Sequence, residues 1–264
     1  MPLTRSDVRL RKRRAGVGPD WFFLPGGPGI GSESLHELGD ALDVPGSIWM
    51  VDLPGDGSNT VDEPEPYRRW PGVVIEAIER SARPIFVGHS TGGMYLLSVP
   101  ELERKLAGLV LISSAPDATW RPAFAAMCAR HPLPAVAAAS AAYAAHRTPA
   151  TLRALCVASA PWNFGAHAVE RGRELLGRMP YNVEACEWSA REFDDSYAAR
   201  WWPQQLPTLI ISGSDDRVVD QSLWDRPQFR GAHVLHRRIA GGAHFPWIEE
   251  PAQVAAAFRE LAAR

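Results

Sequence analysis

Residues 85–92 read Ile85-Phe86-Val87-Gly88-His89-Ser90-Thr91-Gly92, with Gly93 next, and much of the architecture follows from them. A short β-rich apolar run ends in G-x-S-x-G, and a helical pattern from Gly92 to Leu106 begins at once, with Pro100 expected to kink or split it. This is the strand–turn–helix setting of a nucleophile elbow. In such a turn the serine is strained, and residues two before and two after it must be small so that the backbones can approach. Gly88, Gly92 and Gly93 meet that demand and would leave the Ser90 hydroxyl exposed above a sheet.

Outward from this point, further apolar runs bounded by Gly and Pro read as strands: Trp21 to Leu24, Ile48 to Val51, Leu109 to Ile112, Thr208 to Ile211 and Val234-Leu235. Most are continuously hydrophobic, as suits strands of a parallel sheet buried on both faces. Helical patterns at Glu33 to Leu42, Gly72 to Ser81 and Pro251 to Ala263 lie between or after them. The chain therefore reads as α/β, a mostly parallel sheet flanked by helices. The alternation fails from Asp117 to Pro203, where helical patterns (Ala135 to Arg147, Pro149 to Ser159, Ala166 to Arg178, Val183 to Ala199) occur without a convincing strand. An all-helical cap at residues 117–203, inserted between two late strands of a core formed by residues 1–116 and 204–264, is the simplest organisation. It would cover the carboxyl ends of the strands, where open α/β sheets bind ligands. Trp120, Trp162, Trp188, Trp201 and Trp202 are then candidates for an apolar pocket wall, with Trp162 and Trp188 taken as the substrate-binding pair.

The 264 residues carry 28 basic and 30 acidic side chains, a net charge of −2, and 46% are hydrophobic. These values exclude a disordered tail, a collagen-like fibre and a strongly basic nucleic-acid binder. No apolar run approaches the ~20 residues needed to cross a bilayer. The three cysteines, Cys128, Cys156 and Cys186, are widely spaced, without a disulfide or metal-ligand pattern. The run Arg9 to Arg14 is followed by no signal-peptide apolar region and reads as a solvated strand or hairpin. A cytoplasmic, reducing location is expected, and the excess of Arg over Lys with abundant Ala suggests a bacterial, GC-rich source.

A serine needs a general base. His244, in Gly241-Gly242-Ala243-His244-Phe245-Pro246, lies in a loop before the last helix and is free to face Ser90. His36, His131, His146, His167, His233 and His236 read as surface or structural, and His89 as packing beside the site. The third member should be a carboxylate just after a strand. Gly213-Ser214-Asp215-Asp216 offers two, of which Asp216 has the commoner spacing and Asp215 is the alternative. An oxyanion hole would come from the backbone N–H of Thr91 and that of Gly27, in Pro25-Gly26-Gly27-Pro28-Gly29. No phosphate loop, dinucleotide fingerprint or metal spacing is present, so no cofactor is expected.

Together these motifs resemble the α/β-hydrolase superfamily over nearly the whole chain. Asp52-Leu53-Pro54-Gly55-Asp56-Gly57-Ser58-Asn59 is similar to its D-x-x-G-x-G-x-S turn, with Asn59 in place of the usual Ser. The Gly-Gly-Pro-Gly loop is most similar to the proline iminopeptidase branch, although Pro25 stands for its usual His and Thr91 for its usual Trp. That branch holds a substrate amine with cap glutamates. Glu170, Glu174, Glu184 and Glu187 are available here, without a matching motif. The serine excludes the aspartate chemistry of haloalkane dehalogenases and epoxide hydrolases. The expected function is a cofactor-independent serine hydrolase that cleaves a small to medium carboxylic ester, a small-molecule substrate, through an acyl-enzyme. A proline iminopeptidase-like aminopeptidase is the first alternative and a triad-retaining ligand receptor the second.

Overall fold

The computed structural model describes residues 4–264. Seven strands form one sheet: β1 (Arg9–Arg14), β2 (Asp20–Leu24), β3 (Ser47–Asp52), β4 (Pro84–His89), β5 (Gly108–Ile112), β6 (Thr208–Gly213) and β7 (Val234–Ile239). They lie in the order β1-β3-β2-β4-β5-β6-β7, and every neighbouring pair is parallel except β1 against β3. Every residue of β4, β5 and β6 is buried, which is why their sequences are continuous apolar runs rather than alternations. Successive side chains still point to opposite faces. Trp21 and Phe23 join Val87, Ile112 and Phe258 on one side, while Phe22 and Leu24 join Phe86, Leu111 and Leu96 on the other.

The helices are α1 (His36–Ala41), α2 (Trp70–Val73), α3 (Thr91–Leu97), α4 (Trp120–Arg130), α5 (Pro134–Ala145), α6 (Pro149–Ala158), α7 (Ala160–Asn163), α8 (Val169–Gly177), α9 (Val183–Glu192), α10 (Pro246–Glu249) and α11 (Pro251–Ala262). Leu38 of α1 and Val254, Phe258 and Leu261 of α11 cover the first face of the sheet; Trp70 of α2 and Tyr95 to Leu97 of α3 cover the second. No helix among the described residues is long and apolar enough to cross a membrane.

Several expected elements differ. The helix expected over 72–81 is only α2 followed by a 3-10 turn at Val74–Ala77, because Pro71, Gly72 and two successive valines are poor helix formers. Pro100 ends α3 and opens a separate 3-10 turn at Pro100–Arg104. The pattern from Val183 stops at Glu192, after which the chain bends back to the sheet: the Ala199 N–H donates to Pro116 O (2.8 Å), and Asp117 bridges Ala198. Helix α4 is not among the expected helices, because Pro122 interrupts the pattern; it sits in the first turn, where a missing N–H costs nothing. All of α4 to α9 lie between β5 and β6.

The basic strand β1 is less solvated than expected. Arg9 and Arg11 reach Asp52 at 2.9 and 3.0 Å, Asp52 being fully buried, and Arg14 donates to the carbonyls of Leu42 and Val44. Lys12 lies 4.4 Å from the centre of the Trp49 ring. The run is thus committed to intramolecular contacts, and its charges also protect an edge strand from pairing with another chain.

Candidate active site

Ser90 sits between β4 and α3 with φ 50° and ψ −123°, a conformation that costs a non-glycine residue of order 1–3 kcal/mol. The surroundings enforce it. A Cβ on Gly88 would stand 2.5 Å from the Cα of Gly93, and one on Gly92 would stand 2.5 Å from the carbonyl oxygens of Leu24 and Pro25. The Ser90 N–H donates to Ile112 O (2.8 Å), and the Ser114 hydroxyl donates to Ser90 O (2.9 Å), so β5 holds the turn from the side. Gly88→Ala is expected to lower stability by about 1–3 kcal/mol, since its clash is with backbone that cannot rotate away; chemical denaturation measures it.

His244 lies in the loop between β7 and α10, with 4% of its surface exposed. Its Nε2 is 3.2 Å from Ser90 Oγ, and its Nδ1 is 3.1 and 3.2 Å from the two carboxylate oxygens of Asp216. The Asp216 side chain is fully buried. It also accepts the N–H groups of Val218 (2.9 Å) and Val219 (3.1 Å) on one oxygen and the Gln221 amide (3.1 Å) on the other. An oxygen pair so surrounded by donors orients His244 with its proton on Nδ1, which leaves the Nε2 lone pair for the serine hydroxyl. Asp215 is exposed and accepts from the Ser214 hydroxyl (3.2 Å) instead. The fold therefore brings Ser90, His244 and Asp216 together and leaves Asp215 outside.

The His244 backbone is clamped as well. Its N–H donates to Asn163 O (3.1 Å), and its carbonyl accepts from His89 Nε2 (3.0 Å). His89 is buried against Phe245 and Trp247, with ring centroids 4.8 Å away in both cases. Burial, reinforced by the neighbouring His244, holds its imidazole well below the usual histidine range. It stays neutral and donates from Nε2, a structural task that fixes the His244 backbone.

These groups open on a cavity of about 190 Å³, bordered by Ser90, His244, Gly27, Thr91, Trp120 and Asp194 among others. Thr91 is the first residue of α3, where backbone N–H groups lack an intrahelical partner. The glycine loop runs hard against the serine: a Cβ on Gly26 would lie 2.7 Å from Ser90 Cβ. Among the described residues no group of three His, Cys, Asp or Glu side chains could hold a metal ion.

The family model described as the Alpha/beta hydrolase family matches residues 21–257. The chain belongs to that family. Among solved structures, a proline iminopeptidase-related protein from Thermus thermophilus is similar over 100% of this chain and 95% of its own, at 19% identity and a TM-score of 0.72. An esterase from Exiguobacterium antarcticum is similar over 97% and 96%, at 16% identity and a TM-score of 0.70. An alpha/beta fold family hydrolase from Bacillus anthracis str. Sterne covers 98% and 96%, at 14% identity and a TM-score of 0.73. At such identities the likeness is one of fold. No curated protein matches the sequence.

Within this alpha/beta hydrolase the expected tryptophan pair needs correction. Trp162 packs edge-on against Phe124 (5.9 Å) and donates its indole N–H to His131 O (2.9 Å). Trp188 packs on Tyr67 and Trp70, at 5.8 and 6.5 Å. Both join helices to their neighbours and neither borders the cavity, where Trp120 stands instead. Helical phase decides this, and phase relative to a distant cavity is not written in composition. Asp194 also stands at the cavity, and no sequence motif marks it. Its carboxylate accepts from the Ser189 hydroxyl (2.6 Å) and lies 3.4 Å from Arg121, and burial holds it above the usual carboxylate range. Of the four available glutamates, Glu187 is taken up by Tyr143 (2.6 Å) and Arg147 (3.0 Å), and none of the four borders the cavity.

Proposed function

We propose that this alpha/beta hydrolase is a cofactor-independent serine esterase acting on a small to medium carboxylic ester. The observation that carries the reading is the continuous hydrogen-bonded chain Ser90–His244–Asp216 beside a cavity. Ser90 Oγ attacks the ester carbonyl while His244 Nε2 takes the hydroxyl proton; the same imidazolium then protonates the leaving alkoxide. Asp216 stabilises the imidazolium by its fixed, buried carboxylate. The N–H groups of Gly27 and Thr91 receive the tetrahedral oxyanion, each such donor contributing about 3–4 kcal/mol. Water, deprotonated by His244, releases the acid. Residues 117–203 serve as a cap on a core of 1–116 and 204–264, since Trp120, Cys156, Ser159, Asn163, Leu176 and Asp194 all face the same cavity as the serine.

One observation favours a second reading, an aminopeptidase: the Asp194 carboxylate at the cavity wall could hold a substrate ammonium. A panel of p-nitrophenyl esters and aminoacyl-anilides, assayed with wild type and Asp194→Asn, separates the two. The ester reading expects turnover of esters without a free amine, changed less than about threefold by Asp194→Asn, because no charged hydrogen bond to the substrate is lost. The second reading expects anilide turnover that requires the amine and a KM raised at least about tenfold in Asp194→Asn, the size of a charged hydrogen bond.

A further inference from the structure

The segment that carries the Gly27 N–H contains three glycines with positive φ, Gly27 (116°), Gly29 (93°) and Gly31 (74°). Apart from Pro28, whose ring fixes its own φ, such a backbone has little stiffness of its own, so the aim of the N–H depends on what restrains the segment from outside. Hydrogen bonds to neighbouring segments do so. The Gly29 N–H donates to Asp56 Oδ1 (2.9 Å), the Ser32 N–H donates to Asp52 Oδ1 (2.7 Å), and Gly29 O accepts the Asn182 N–H (2.8 Å). The 52–59 turn also packs directly beneath: a Cβ on Gly57 would lie 2.5 Å from the Cα of Gly31.

The two aspartates of that turn are not equivalent. Asp52 is compensated by Arg9 and Arg11. Asp56 is 2% exposed, and the charges acting on it, Asp52 and Glu33, are of its own sign. Burial, with those two carboxylates, pushes its carboxyl up to about 8, against the backbone N–H groups of Gly29 and Gly31 that favour the ionised form. An apolar side chain would fill the same space without the desolvation cost. What it would not supply is the acceptor for the glycine segment.

We propose that Asp56 is a positioning residue for the oxyanion hole: its buried carboxyl pins Gly29 and so holds the Gly27 N–H on the developing oxyanion. The inference rests on the esterase reading above for its kinetic consequence, and on geometry alone for the pinning. A restraint of this kind acts where charge develops, so its loss lowers kcat and leaves substrate binding nearly unchanged.

The test compares Asp56→Leu, which has no acceptor, Asp56→Ser, whose hydroxyl is one bond too short, and Asp56→Asn, which keeps an oxygen at the same reach and mimics the neutral acid. With p-nitrophenyl ester substrates, D56L and D56S are expected to lose about 10- to 100-fold in kcat, less than or comparable to deletion of a donor, with KM within about threefold. D56N stays within about threefold of wild type. Amide hydrogen exchange over residues 26–31 needs no turnover; it accelerates in D56L and D56S and not in D56N. Retained kcat and unchanged exchange in a folded D56S, or a loss in D56N equal to that in D56L, overturns the proposal. Wild type without Ser90-dependent ester turnover would overturn the esterase reading alone, and the exchange rates would then decide the pinning by themselves.

Discussion

Ser90→Ala is expected to reduce ester turnover by about 10⁶-fold and to abolish labelling by a fluorophosphonate probe, while leaving the melting temperature nearly unchanged. The magnitude follows from how nucleophile and base act as a unit: removing either leaves only the oxyanion hole and substrate binding, a residue of about 10³–10⁴ over water. The small effect on stability follows from the site itself. The Ser90 side chain makes one hydrogen bond, to His244 Nε2, whereas the turn is held by the backbone N–H to Ile112 and the carbonyl to Ser114. Both remain in alanine, which tolerates φ 50° no worse than serine does. A Ser90→Ala protein that still hydrolyses esters at wild-type rate would remove Ser90 from the mechanism, whatever the geometry.

Asp216→Asn is expected to lower kcat by about 10⁴-fold with the fold intact, an effect of tautomer more than of charge. In the native protein the Asp216 carboxylate only accepts, from four donor groups, the N–H of Val218 and Val219, the Gln221 amide and His244. An asparagine there would turn its carbonyl to the two fixed backbone N–H groups. Its NH2 would then face Gln221 and the imidazole. Gln221 can rotate its amide to accept only by giving up the bond its Nε2 donates to Val219 O (3.3 Å), although its buried Oε1 otherwise has no partner. His244 cannot do the same without moving its proton to Nε2, and that tautomer donates toward Ser90 instead of taking the serine proton. Steady-state kinetics beside circular dichroism check both halves. A loss below about tenfold would mean that Asp216 is not what orients His244.

Much of this architecture was legible because its determinants are local. An apolar run buried on both faces, glycines two residues to either side of Ser90, and a histidine loop ahead of α10 each express a steric or burial demand at one place in the chain. Asp216 and Asp215 differ through the fold: after β6 one side chain turns inward to His244 and the other is left in solvent. Local reading failed where a residue's role depends on a partner far away in sequence. The basic strand looked solvated because nothing near it in sequence shows that Asp52 lies buried beside Arg9 and Arg11. Trp162 and Trp188 looked like pocket walls because aromatic content says nothing of which way a helix is turned.

The α/β alternation, the glycine-flanked serine turn and the helices between β5 and β6 were thus written along the chain, whereas the hydrogen bonds from His244 to Ser90 and to Asp216 join segments that only the fold brings together. The strand order, the choice of Trp120 over the other tryptophans at the cavity, the presence of Asp194 at its wall, and the contact of Asp56 with the glycine loop came only with tertiary packing. The reason is the range of the forces concerned. Backbone sterics and burial act within a few residues and leave a periodic mark, whereas a wall or a buried hydrogen bond is made by chain segments such as 29 and 56, or 90 and 120, that only folding brings together.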